Sequence, residues 1–187
     1  MFEMSPISAN VASEFCKLCD RAYESWITHK TLFDDNKNRR KNIDKERLRP
    51  FTTRLSEITQ EYCLLQISKL HDPAIMRGSI NLTIDYIVQF GDWVAEFQRI
   101  EELKNKLNEL WKHLKSARHK AIAHNDLKTI MSGLVFGTFA EGLDNEYFEA
   151  LHELVDAVAI KWLGSSYSFN DLAKNDVKEF LALLEKV

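Results

Sequence analysis

From Lys115 to Asp126 the chain reads Lys-Ser-Ala-Arg-His-Lys-Ala-Ile-Ala-His-Asn-Asp, so two histidines and three cations fall within a dozen residues. An imidazole moves protons near neutral pH and a guanidinium grips two phosphate oxygens at once. Arg118 with His124 is therefore minimum equipment for phosphodiester chemistry. His119 and Lys120 stand beside Arg118, and Asn125 and Asp126 follow His124. The same types also suit a structural role, with Arg118 as a cation near a helix C-terminus and His124 as a cap or a satisfied core residue. Lys115 and Lys120 equally suit a solvated polar face.

A long helix must carry this segment. Trp93, Phe97, Ile100, Leu103, Leu107, Leu110, Leu114, Ala117 and Ala121 advance by three or four residues, with Asp92 placed to cap the start. His124 lies seven positions after Ala117 and continues this seam, so it should face a packed surface or an interface. Arg118 lies six positions before His124, about 120° away on an ideal helix. The two then meet through side-chain reach, local unwinding or a partner chain.

Other helical patterns surround it. Val11, Phe15, Leu18, Ala22, Trp26 and Phe33 mark a helix from about Ser8 to Leu32. Leu48, Phe51, Leu55, Ile58, Tyr62 and Leu65 mark a second over residues 46–71, with Pro50 in its first turn and Asp72-Pro73 to stop it. Residues 34–42 are almost wholly polar and read as a solvated connection, and residues 73–81 read as a loop. Leu82, Tyr86 and Phe90 give a short helix ending near Gly91. Asp144 is placed to cap a helix bearing Tyr147, Leu151, Leu154, Val158 and Trp162, and Leu172, Val177, Phe180 and Leu184 mark a last one. Residues 127–143, with three glycines among β-branched and aromatic residues, give no single period and receive no element.

The composition agrees with an all-α fold: a single-domain antiparallel bundle of about five to six helices over residues 1–187. Only 6 Gly and 3 Pro in 187 residues leave too few turn signals for a sandwich or barrel. The net charge of -3 gives no global attraction for nucleic acid, yet residues 36–54 hold eight Lys/Arg against two acids and residues 104–120 six against one. No apolar run has the roughly 20 residues of a membrane span. Three cysteines and a start unlike a secretion signal lead to the expectation of a reducing, cytoplasmic setting without membrane attachment. Cys16-x-x-Cys19 has half a zinc site's spacing but no second pair, so buried thiols are expected. His113, His119 and His124 scatter around a helix axis at steps of six and five, which leaves no metal site and no cofactor in the reading.

Arg118-His119-Lys120-Ala121-Ile122-Ala123-His124 resembles the signature of the HEPN superfamily, an Arg, four to six residues, then His, with a polar residue after the Arg. Upstream, Ser68-Lys69-Leu70-His71-Asp72-Pro73 and Asn81-Leu82-Thr83 resemble its phage abortive-infection, AbiU-like branch, so the likeness spans most of the chain. The resemblance implies a helical homodimer, pairing through the long motif-bearing helix, that cleaves RNA without metal in phage defence or as a toxin. By position it makes Arg118 and His124 catalytic, with His119 as the motif's polar residue. The 2′-OH would attack the adjacent phosphate to leave a 2′,3′-cyclic phosphate. RNA would be held by the basic stretches, with Lys115, Lys120, Arg39 and Arg40 as contacts, and Asp72, Asn125 and Asp126 in support. An antitoxin protein is an implied partner. Related toxins with a nucleotidyltransferase antitoxin often carry Tyr two positions after the motif His, where this chain has Asp126. Other superfamily members cleave nothing, so a silent helical module binding RNA, a nucleotide or a protein is the alternative.

Overall fold

The structure, a computed structural model, describes residues 7–34, 48–117, 142–184 and 186. Within them the fold is all-α, with six α-helices and one two-stranded ribbon. The elements are α1 (Ala9–His29), a π-helical turn (Lys30–Asp34), α2 (Arg49–Leu70), β1 (Ile75–Met76), β2 (Ser79–Ile80), α3 (Ile84–Phe90), α4 (Phe97–Ala117), α5 (Leu143–Leu163) and α6 (Leu172–Leu184). The chain divides into two compact units, one of residues 1–19 and 67–168, the other of residues 20–66 and 169–187.

In the first unit α4 packs along α5, and α3 packs on α4. Ile100, Leu107 and Leu114 of α4 and Tyr147, Leu151, Leu154 and Val158 of α5 are fully buried, as the spacing of each helix requires. From Ile100 to Leu114 the apolar seam of α4 is thus covered within the chain, whereas Phe97 at its start is exposed. The start of α1 contributes Ala12, Phe15, Cys16 and Cys19, all buried, which places both thiols in the core as expected.

Residues 73–81, expected as a loop, contain the ribbon. Ile75 pairs with Ile80 and Met76 with Ser79 around Arg77 and Gly78, whose φ values of 50° and 83° give the left-handed two-residue turn that suits strand twist. Asp92 does not cap α4, and the helix starts at Phe97 instead. The Trp93 indole folds back and donates to the Ile87 carbonyl at 2.9 Å, which holds residues 91–93 out of helical geometry. Gly91 makes this possible, since a Cβ there would collide with the Trp93 indole and the Ile87 carbonyl. Gly91→Ala should therefore cost about 2 kcal/mol through the lost hydrogen bond and forced repacking, read as a lower denaturation midpoint. Asp144 likewise lies in the first turn of α5, and the capping position is Gly142 with φ 88°. Asp144 and Glu146 then favour that helix by charge against its positive end.

The second unit is built on Leu32, Phe33, Val177 and Leu181, with Leu55 and Leu184 packed against them. The π turn brings the adjacent Leu32 and Phe33 to this cluster, and α6 rests on that turn. Asn170 prepares the start of α6. Its amide donates to Asp20 Oδ2 at 3.1 Å and Glu24 Oε1 at 3.2 Å, and its Oδ1 accepts from the Leu172 amide at 3.1 Å. Tyr23 stacks on Phe169 and donates to Asp171, and burial followed by that carboxylate pushes its hydroxyl up to about 12.

On α2 the helix lies where the spacing put it, but its apolar stripe is not its buried side. The stripe Leu48, Phe51, Ile58, Tyr62 and Leu65, which marked this helix in the sequence, is exposed, while Thr52, Cys63, Leu64 and Gln66 are buried. Periodicity locates an apolar stripe but not the side of the helix that the chain itself covers.

Candidate active site

The catalytic pair expected from the sequence, Arg118 and His124, lies outside the described residues, as do His119, Lys120, Asn125, Asp126, Arg39 and Arg40. What the structure gives is the scaffold that leads to them. α4 is helical to Ala117, one residue before Arg118, and is fixed by its buried seam through Leu114.

The four lysines of α4 are not equivalent. Lys104 pairs with Asp85 at 2.8 Å and Lys112 with Glu109 one turn away, whereas Lys106 and Lys115 are exposed with no acidic partner among the described residues. The basic stretch is therefore thinner than its count of cations. Lys115, three positions before Arg118, stands nearest to the motif in sequence.

The segment from Leu70 to Asp85 is a set of interlocked turns. Asn81 donates from its amide to the Pro73 carbonyl at 2.9 Å, and its backbone N–H reaches the Ala74 carbonyl at 2.8 Å. Thr83 caps α3 by accepting from the Tyr86 amide at 3.2 Å. Asp85 accepts from the Ala74 amide at 3.3 Å as well as from Lys104. Burial alone would raise the Asp85 carboxyl, but hydrogen bonds from Lys104 and Ala74 and the charge of Lys104 outweigh it and hold the group below its ordinary value. Asn81 and Thr83, two of the residues that carried the AbiU-like likeness, thus shape the turn between α2 and α3. Asp72 sits half-buried at the end of α2, with its backbone N–H 3.4 Å from the Lys69 carbonyl.

His71 is the centre of a polar cluster that the sequence did not assemble. Its Nδ1 lies 3.1 Å from Asn108 Oδ1 on α4 and its Nε2 lies 2.9 Å from the Tyr147 hydroxyl on α5. One tautomer satisfies both contacts, with Nδ1–H donating to Asn108 and Nε2 accepting from Tyr147. The ring also stacks on Trp111, centroids 5.0 Å apart and planes 9° from parallel. Burial lowers the imidazole to about 4, against a smaller upward pull from the Asn108 hydrogen bond, so the ring is neutral at physiological pH. The cluster ties the end of α2 and the start of α5 to α4 between ten and seven residues before Arg118. The sequence signal was slight: Asn108 and Trp111 share one face of α4 at a spacing of three, beside the seam.

Among the described residues no group of three or more His, Cys, Asp or Glu side chains is placed to hold a metal ion, and no helix is long and apolar enough to cross a membrane. Comparison with curated proteins and with solved structures returned no match. The model of a protein family described as AbiU2, a HEPN family, matches residues 9–182, from the first residue of α1 to near the end of α6. Over that span, with the interlocked turns around Asn81 and Thr83 and the Arg118-to-His124 motif directly after α4, this chain belongs to the HEPN AbiU2 family.

Proposed function

We propose that this chain is a metal-independent endoribonuclease, serving phage defence or acting as a toxin, in which Arg118 and His124 carry the reaction. The observation that supports it most is the family match along residues 9–182 in a chain that keeps both motif residues. In the reaction the ribose 2′-oxygen attacks the adjacent phosphorus, the bond from phosphorus to the 5′-oxygen breaks, and the products are a 2′,3′-cyclic phosphate and a 5′-hydroxyl. His124 moves the proton, taking it from the 2′-OH or delivering it to the leaving oxygen, and His119 stands beside Arg118 to assist. Arg118 holds the nonbridging oxygens as charge builds on them. Lys106 and Lys115 add sequence-independent attraction for the phosphate backbone.

The test incubates the purified protein with a mixed pool of structured and single-stranded RNA in excess chelator and analyses the new ends. Cleavage to cyclic-phosphate and 5′-hydroxyl ends is the expected outcome. RNA bound and left intact would replace this reading with that of a silent binding module.

A further inference from the structure

The second unit holds a groove of about 740 Å³ between α1, α2 and α6, a size that suits a small molecule. Its walls differ in chemistry. α1 contributes a polar row, Arg21, Glu24, Ser25 and Thr28, which share one helix face at steps of three and four. Ile58 and Tyr62 of α2 and Leu172 of α6 contribute apolar surface from three exposed side chains, and Asp176 of α6 adds a second carboxylate.

The contacts among these helices set the two ends of the groove. Asn170, just before α6, bonds to Asp20 and Glu24, whereas Val177 within α6 clusters with Leu32 and Phe33. α6 therefore runs beside α1 in the same direction, which sets Asp176 level with Thr28 and two turns beyond Arg21. On α2, Thr59 lies 2.9 Å from His29, so Ile58 stands at the Asp176 end and Tyr62 one turn nearer to Arg21. Arg21 and Asp176 are thus about 10 Å apart along the helix axes. Neither has an ion pair among the described residues. Glu24, between them, already accepts from the Asn170 amide at 3.2 Å.

We propose that this groove binds a short apolar peptide with free ends, about three residues long, its carboxylate on Arg21 and its ammonium on Asp176. Length and charge agree. An extended residue advances about 3.4 Å, so three residues set the two terminal charges about 10 Å apart. A guanidinium takes a terminal carboxylate through two parallel hydrogen bonds, and apolar side chains find Ile58, Tyr62 and Leu172 along the way. The peptide's amide groups meet the polar row of α1. There the Thr28 hydroxyl has no partner among the described residues, and the Ser25 oxygen, which donates to the Ala22 carbonyl at 2.8 Å, can still accept. The two signs exclude simpler occupants. A fatty acid would leave its tail against Asp176, and a polyamine would set an ammonium against Arg21. The proposal does not rest on the ribonuclease reading, and its test reads binding rather than RNA cleavage.

Isothermal titration calorimetry on the full chain decides it, with trileucine, N-acetyl-trileucine and trileucine amide as probes and Arg21→Gln and Asp176→Asn beside wild type. Wild type should bind trileucine, and capping either end of the peptide should weaken binding about fivefold, the loss expected for one partly solvated charge pair. The variants should cancel these losses one at a time. In Asp176→Asn the free and acetylated peptides should bind alike, and in Arg21→Gln the free and amidated peptides should. Both changes keep the size of an exposed side chain, and if either fails to fold, the two capped peptides on wild type decide alone. No binding of trileucine at millimolar concentration, an acetylation loss that persists in Asp176→Asn, or decanoate or spermidine binding as tightly as trileucine would each overturn the proposal.

Discussion

Replacing His124 by alanine should lower the rate of RNA cleavage by about a hundredfold to ten-thousandfold, the range expected when a positioned proton-transfer group is lost. Arg118→Ala should lower it by a similar factor of about a hundred to a thousand, by removing charge stabilisation that matters only as the phosphorane forms. Arg118→Lys should recover little, because a lysine ammonium restores the charge but not the two-pronged grip on phosphate. The fold should survive all three changes. α4 is anchored by Ile100, Leu107 and Leu114, all before the motif, so shortening a side chain after Ala117 leaves that packing in place. The measurement is cleavage under single-turnover conditions with the circular dichroism spectrum as control. A folded His124→Ala protein with wild-type activity would remove His124 from the reaction and the proposed mechanism with it.

The sequence disclosed the helices more readily than their surroundings. Apolar residues at steps of three and four located α1, α2, α4, α5 and α6 to within a few residues, because helix burial imposes that period on any chain. It failed where a tertiary contact overrode a local preference. Asp92 is a sound capping residue, yet the hydrogen bond from the Trp93 indole to Ile87 keeps the backbone there from entering the helix. On α2 the period located the helix but not its buried side, since Thr52 and Gln66, polar residues, are buried while Phe51 and Ile58 are exposed. The catalytic candidates were legible only as a motif, because the spacing of Arg118 and His124 names a chemistry without bringing the two side chains together. The His71 cluster was hidden for a plainer reason: its partners Asn108 and Tyr147 lie 37 and 76 residues away.

Among the described residues His71 gives the largest pH effect expected on stability. Its imidazole titrates near 6.5 in the unfolded chain and at about 4 in the fold, where burial disfavours the charged ring and none of its three partners, Asn108, Tyr147 and Trp111, carries a charge to offset that. The folded state therefore binds fewer protons than the unfolded state in this window. The stability that goes with the neutral ring is fully present above about pH 6.5, is lost as pH falls, and is gone below about pH 4, to a total of at most about 3 kcal/mol. Because the ring is only half-buried by surface, solvent screening holds the measured loss below that bound. His71→Gln keeps a donor and an acceptor near Asn108 and Tyr147 but cannot take up a proton. This variant should be less stable than wild type at pH 7, by about 1 kcal/mol from imperfect hydrogen bonds and the lost stack on Trp111, yet should lose less on acidification. Urea denaturation of both proteins at half-unit steps from pH 7.5 to 4 measures the difference. Parallel curves for the two would show that His71 charges as easily inside the fold as outside it. Converging curves would place the acid sensitivity of this unit on the imidazole that joins α2, α4 and α5.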